Sequence, residues 1–430
     1  MTFSPDLQVI VLAAGKGSRM PELLSGKPKC LLPIGPKPLI WYILYKIQSM
    51  GYKDCIVVVL DNQKIEIEEA IKECGLHINV DFHMIPHDED FGTADSLRSI
   101  HEFIHSDVLV LPCDLFTDIN LGTVITKFRA EDAALVALYL QPHSFNGLTL
   151  PGPKTKNKQE RDIIMVDEDT HRLVLLASTS DYENDFIVQD SLSVKYPRCI
   201  SYTNLVDSQV LLMKKWIIDY LTSQKAVSTL RGEFLPQLIR KHMINSESND
   251  EILNYSKTEK KELYPRIPDD VVRCFAHIAD KQNFGIRVNT LASFYFMNSK
   301  LADIWERIAP KEKLVLRSPK ADIKSTQVDD KCIIWENAKL SEKTSFKNTI
   351  IGPNVEIGSF SRVFNCILMK NVVIKERVAL ENCIISDNTV IESKAQLNSC
   401  IVGCNQIIPE ESKHSNEILT NSDRLIEENN

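Results

Sequence analysis

No apolar run in this 430-residue chain is long enough to cross a bilayer. Its densest stretches, Cys55 to Leu60 and Ala134 to Leu140, fall far short of the roughly 20 residues a membrane helix needs. Positive charge is not in excess either: 50 Lys and Arg stand against 58 Asp and Glu, a net charge of −8. Direct nucleic-acid binding through bulk charge is therefore not expected. The amino terminus, Met1-Thr-Phe-Ser-Pro-Asp6, lacks the basic segment of a secretory leader. The 11 cysteines are odd in number and scattered, unlike a disulfide framework. A cytosolic protein with reduced thiols and no membrane contact is the expectation. With 43% hydrophobic and 25% charged residues, the composition is that of folded protein, and the length favours two domains.

What is present divides into two halves. From Gln8 to Gln141 short apolar runs alternate with helical patterns, the mark of βαβ units around a parallel sheet. Val9 to Ala14 reads as a buried strand, Pro38 opens a helix that Gly51 stops, and Cys55–Leu60, Asp107–Asp114 and Ala133–Gln141 supply further strands. Ligands of such sheets bind beyond the carboxyl ends of the strands, which directs attention to the loop after Ala14 and to Asp114. That loop reads Gly15-Lys-Gly-Ser-Arg19, with Lys27-Pro-Lys29 a few residues on. Glycines let backbone N–H groups approach phosphate oxygens, and Arg19 and Lys29 would offset their charge. Neither a Walker loop nor a dinucleotide fingerprint is met, because Met20 stands where the third glycine would be.

The second half repeats every 17 residues. Ile334, Ile351, Leu368, Ile385 and Val402 share that spacing, as do Leu340, Ile357, Ile374, Ile391 and Ile408, and Phe346, Val363, Leu380 and Leu397. At roughly 45% apolar usage, fourteen apolar residues at such positions arise by chance on the order of once in 10⁵. A small or β-branched residue precedes nearly all of them by two places, Gln406 being the exception. Steps of six, six and five residues mean three flat faces per coil, a parallel β-helix of hexapeptide type. Cys332, Cys366, Cys383 and Cys400 fall on this lattice; stacked coils arrange them as a row, not as a tetrahedral metal cage. Acyltransfer by the repeat lacks its general base, since no histidine occurs between His277 and His414. Taken together, the expected order is a domain over 1–308 with an exposed insertion near 244–262, a linker at 309–330, the β-helix over 331–410 and a polar tail at 411–430. The basic loop Pro151 to Lys158 reads as a solvated charge run.

Two sequence stretches carry a family resemblance. Leu12-Ala-Ala-Gly-Lys-Gly-Ser-Arg-Met20 followed by Pro28-Lys-Cys-Leu-Leu-Pro-Ile-Gly35 resembles the signature of sugar-nucleotide pyrophosphorylases. Gly92-Thr-Ala-Asp-Ser-Leu97 is similar to that family's second nucleotide-side loop, and Asp114 holds the place of its metal-binding aspartate. The resemblance implies a Rossmann-like nucleotidyltransferase domain followed by a left-handed β-helix, with Gly15, Gly17, Ser18, Arg19, Lys29, Gly92 and Thr93 facing a nucleotide. Asp114 would hold Mg²⁺ only if nucleotide binding is retained, and no cofactor is otherwise required. Two departures bear on catalysis. Cys113 replaces the glycine usual before that aspartate, and the Glu-Lys-Pro element that brings a lysine to the sugar phosphate is missing; without that cation the nucleophile loses positioning and charge stabilisation.

Further wording narrows the family. Asp90 to Arg98, Asp107 to Leu115, Gln159 to Asp162, Asn204 to Val210 with Lys214 to Trp216, and Arg287 to Leu291 resemble the gamma-subunit family of eukaryotic translation initiation factor 2B. That resemblance implies a scaffold and regulatory subunit with no catalytic residues of its own. Its partners would be the epsilon subunit, the other subunits of factor 2B, and initiation factor 2 as substrate of the complex. Epsilon carries exchange activity in an additional helical domain, for which the twenty or so residues after the repeat leave no room. The competing expectation is an active sugar-1-phosphate guanylyl- or adenylyltransferase.

Overall fold

The computed structural model describes residues 6–24, 26–145, 147–153, 161–178, 190–244 and 272–420. The insertion expected near 244–262, most of the basic loop and the last ten residues of the polar tail lie outside the described residues. Contacts resolve two compact units: Met1–Gly15, Ile43–His143 and Lys158–Arg287 form the first, and Lys16–Tyr42, Ser144–Asn157 and Val288–Asn430 the second.

The first unit is built on a nine-stranded sheet. Its strands are β1 (Leu7–Leu12), β2 (Asp54–Leu60), β3 (Asn79–Ile85), β4 (Asp107–Pro112), β6 (Leu135–Leu140), β7 (Asp162–Asp167), β8 (Leu173–Ser178), β9 (Cys199–Met213) and β10 (Cys274–Ile278); a separate short pair is β5 (Leu115–Thr117) with β11 (Gly285–Arg287). The path runs β8-β7-β9-β4-β1-β2-β3, with β6 on β9 and β10 on β6. Strands β4, β1, β2 and β3 are mutually parallel, as the apolar runs implied for β4, β1 and β2; β3, with the mixed sequence Asn79-Val-Asp-Phe-His-Met-Ile85, was not expected. The parallel arrangement expected over Gln8–Gln141 is observed, and the sheet as a whole is mixed because β9, beyond that range, runs antiparallel to β4, β6 and β7. Its fifteen residues Cys199–Met213 mix exposed and buried positions, so no continuous apolar run announced it. The helices expected after Pro38 and Gln63 are present as α1 (Leu39–Ser49) and α2 (Lys64–Glu73). Two more matter below, α3 (Thr93–Ser99) and α4 (Leu291–Ile308).

The second unit contains three six-stranded parallel sheets whose strands follow one another coil by coil, a left-handed parallel β-helix of hexapeptide repeats. All fourteen residues of the 17-residue lattice are 5% exposed or less, so the register read from the sequence is the observed one. The coils run from Asp322 to Leu419, further at both ends than 331–410. The terminal coils keep the lattice at Ile323 and Leu419 and break it elsewhere. Val328 pairs with Phe346 across an extra residue, Arg317 bridges Ile334, and His414 takes the apolar place beside Leu397.

One sheet buries both faces. Outward of the lattice it carries Ile333, Ile350, Ile367, Ile384 and Ile401, all 8% exposed or less. The Tyr295 hydroxyl, on α4, donates to Asn365 O (2.7 Å), the Gly35 turn packs on Leu301 and Ile333, and the backbone at Gly152 abuts Ile401. This second apolar column explains why 16–42 and α4 group with the coils. Inside, the thiols stack as a row: the Cys383 N–H donates to Cys366 Sγ and the Cys400 N–H to Cys383 Sγ, each at 3.4 Å. Burial pushes the Cys383 thiol well above its ordinary pKa, which keeps it protonated and inert.

Candidate functional site

The candidate residues divide between the units: Gly15, Gly92, Thr93 and Asp114 belong to the first, and Gly17, Ser18, Arg19 and Lys29 to the second. In the second unit, the N–H of Met20 donates to Gly17 O (2.9 Å) and closes the turn. Gly17 has φ +71°, and a Cβ there would collide with the Leu24 side chain, so glycine is demanded twice over. Met20 is wholly buried and plugs the loop where a dinucleotide site would keep a third glycine. Ser18 and Arg19 are exposed, and Lys29 is half-buried on a 3-10 turn.

Asp114 lies just beyond β4, whose end is tied to β1 by the Cys113 N–H donating to Leu12 O (3.2 Å). Its side chain is 2% exposed. Strand β5 pairs antiparallel with β11 so that Arg287 stands opposite Leu115. That register sets the guanidinium beside the carboxylate: Arg287 Nε donates to Asp114 Oδ1 at 2.9 Å and a terminal N–H to Oδ2 at 3.0 Å. Burial opposes the guanidinium charge, but Asp114, and then Asp207 and Cys113, outweigh it and raise the Arg287 pKa. Mg²⁺ is held through carboxylate oxygens. Here both oxygens already accept from a buried cation, which would repel a metal at the same place. These residues do not fit a metal at Asp114. Among the described residues no group of three or more His, Cys, Asp or Glu is placed to hold one.

The second nucleotide-side loop is also engaged, by the chain's own Ser228 to Leu230. The Ala94 N–H donates to Ser228 O (2.8 Å), the Leu230 N–H to the Thr93 hydroxyl (2.9 Å), and the Gly92 N–H to Asp95 Oδ2 (3.0 Å). Ser228 Oγ donates to the same carboxylate oxygen at 2.5 Å. A Cβ on Gly92 would overlap the Ser228 carbonyl. Glu233 holds the segment from the other side, accepting from the N–H groups of Ser228 (2.7 Å) and Thr229 (3.0 Å); these bonds, Thr229 first, hold its carboxyl below the usual range. Two amide donors that a phosphate would need are thus spent within the fold.

Sequence reasoning missed a second buried charge cluster. Asp162 on β7, fully buried, accepts from Arg231 Nε at 3.0 Å, and Arg231 lies 3.8 Å from Asp207. Asp207 is paired across the sheet with Tyr139, whose hydroxyl pKa is pushed well up by burial, then by Asp207 and Asp162. Asp162, Asp207 and Arg287 lay within the quoted family wording, but Arg231 gave no signal. A cavity of about 770 Å³ beside Tyr52, His83 and Phe103 is lined by none of the candidate residues.

With this geometry in view, comparison with known proteins is informative. Residues 8–146 match the nucleotidyl transferase family, and residues 319–428 match the GMPPB C-terminal domain. The chain is 27% identical over 352 residues to the translation initiation factor eIF2B subunit gamma of Schizosaccharomyces pombe, covering 80% of this chain and 73% of the relative. It is 27% identical over 308 residues to the subunit gamma of Caenorhabditis elegans, 70% of each chain. With that of Dictyostelium discoideum it shares 25% over 395 residues, 82% of this chain and 88% of the relative. Matches covering four fifths of the chain necessarily take in part of the β-helix as well as the first unit. Among the described residues no helix is long and apolar enough to cross a membrane.

Proposed function

Starting from a chain similar over most of its length to gamma subunits of translation initiation factor 2B, we propose that it is a non-catalytic scaffold and regulatory subunit of such a complex. It acts in the cytosol beside an epsilon subunit and the remaining subunits of factor 2B, promoting GDP/GTP exchange on initiation factor 2. The observation that carries the non-catalytic part is the Arg287–Asp114 pair. Phosphoryl transfer to a sugar phosphate needs a metal or equivalent to offset charge developing on the α-phosphate. A guanidinium locked on the aspartate neutralises that carboxylate and is not delivered to a ligand. The committed donors of Gly92 and Ala94 support the same reading. Arg19 and Lys29 remain as cations of a vestigial loop, and no Mg²⁺ is required.

The test is pyrophosphate release from GTP or ATP with hexose 1-phosphates, together with native purification and mass spectrometry. The expected result is no release at an enzymatic rate, and co-purification with the other subunits and initiation factor 2. Turnover near about 10 s⁻¹, the usual enzyme median, that disappears in Asp114→Ala would overturn the proposal.

A further inference from the structure

At the corners of the β-helix from Asn337 to Asn416 the backbone enters the left-handed region, and the three corner columns answer that demand differently. Two use asparagine: Asn337, Asn354, Asn371, Asn388 and Asn405 in one, and Asn348, Asn365, Asn382 and Asn416, interrupted by Ser399, in the other. Asparagine adopts this conformation with little strain. Its amides also bond from coil to coil, as Asn371 Nδ2 does to Asn388 Oδ1 at 2.9 Å. The third column never uses it. There Lys343, Phe360, Arg377, Lys394 and Glu411 hold φ between +58° and +62°, and all five are exposed. Bulky residues kept in a sparsely populated conformation, with no interior contact to require them, point to a surface role.

The centre of this column is an aromatic ring between cations. Phe360 is 51% exposed, with Lys343 Nζ 5.0 Å and Arg377 Cζ 5.9 Å from its centroid, within cation–π range. Neither cation has a carboxylate partner among the described residues, nor does Arg362, exposed two residues past Phe360. Lys394, by contrast, is paired with Glu411 at 2.5 Å. We propose that this corner is a docking site for an acidic segment of a partner protein. The Phe360 ring is its apolar anchor, and Lys343, Arg377 and Arg362 receive carboxylates. Charge complementarity selects the occupant, because unneutralised cations around an exposed ring are a local exception on a chain of net charge −8. It also favours a peptide over a nucleic acid. Glu342 and Glu376 directly precede Lys343 and Arg377 and are themselves exposed, which interrupts the continuous positive surface that regularly spaced phosphates need, whereas a peptide can set its carboxylates at the cations alone. This inference uses the β-helix alone and does not depend on the function proposed above.

The test is fluorescence anisotropy of the full chain with a short fluorescein-labelled peptide of alternating glutamate and leucine, at low salt so that exposed charges are little screened. Phe360→Asn and Arg377→Glu are each expected to weaken binding by about tenfold. Phe360→Asn should at the same time keep or raise the melting temperature, since it installs the residue of the other two columns. Lys320→Glu, a substitution just before the first coil with the same change of charge, should leave binding nearly unchanged. Equal loss with Lys320→Glu and Arg377→Glu, or no binding by the unaltered chain, overturns the proposal. So does tighter, Phe360-dependent binding of an oligouridylate of equal length, which would make the corner a nucleic-acid site.

Discussion

Arg287 and Asp114 are 173 positions apart, and their meeting is a property of strand register. A buried bidentate pair is sensitive to the loss of one member: removing Arg287 leaves a carboxylate with 2% exposure deprived of its bidentate donor, at a cost of about 3–5 kcal/mol. Arg287→Met is therefore expected to lower the urea midpoint sharply, and Asp114→Leu with Arg287→Met together to restore most of it, because matched apolar replacements leave no orphaned charge. Additive losses in the double variant would mean that the two side chains do not act as a pair. The same distance explains what the sequence concealed. Asp114 was legible from its place after an apolar strand, whereas nothing near it announces an arginine from β11. Arg231 and Asp162, 69 positions apart, were hidden for the same reason, since ionic pairing across a sheet leaves no local spacing to read.

At the scale of the element, periodicity separates what could be read from what could not. The inward lattice was legible because every coil places a large apolar residue at the same step. Two consequences distinguish that register from its neighbour. Ile374 is 1% exposed and stacks between Ile357 and Ile391, so Ile374→Asp buries an unpaired carboxylate at a cost of several kcal/mol and should abolish cooperative unfolding of the coils. Lys375 is exposed, and Lys375→Glu should unfold as the unaltered chain does in the same denaturant titration; equal damage from both would show the register to be wrong. The asparagine corners give a graded case. Asn371 accepts from Asn354 (3.0 Å) and donates to Asn388 (2.9 Å) at φ +57°, so Asn371→Ala loses ladder bonds and adds left-handed strain, about 1–2 kcal/mol by thermal melt. The outer isoleucine column went unread because a residue beside an inward position is expected to face solvent. Only the cover supplied by α4 and the 16–42 segment makes its apolar character intelligible.

At the scale of the whole molecule, that cover makes the β-helix more than an appended module. Ile384 and Ile401 are fully buried, Lys27 of the 16–42 segment is ion-paired with Asp387, and Asn298 on α4 accepts from the Gly35 N–H at 2.9 Å. A chain ending at residue 330 loses every isoleucine of the outer column, and the faces of α4 and of 16–42 that packed on it become exposed apolar surface. Such a chain is expected to be cut by limited proteolysis within 16–42 and 288–308, where the full chain resists, because segments without buried contacts open locally. A repeat module also offers flat faces and two ends to a partner, so the same truncation should fail to pull down an epsilon-type subunit. Lys29→Ala, which alters a residue following the glycine loop without removing the cover, should still assemble. If the shortened chain resists protease at 16–42 and still assembles, then that segment is held by the first unit, and the coils are dispensable for both folding and docking.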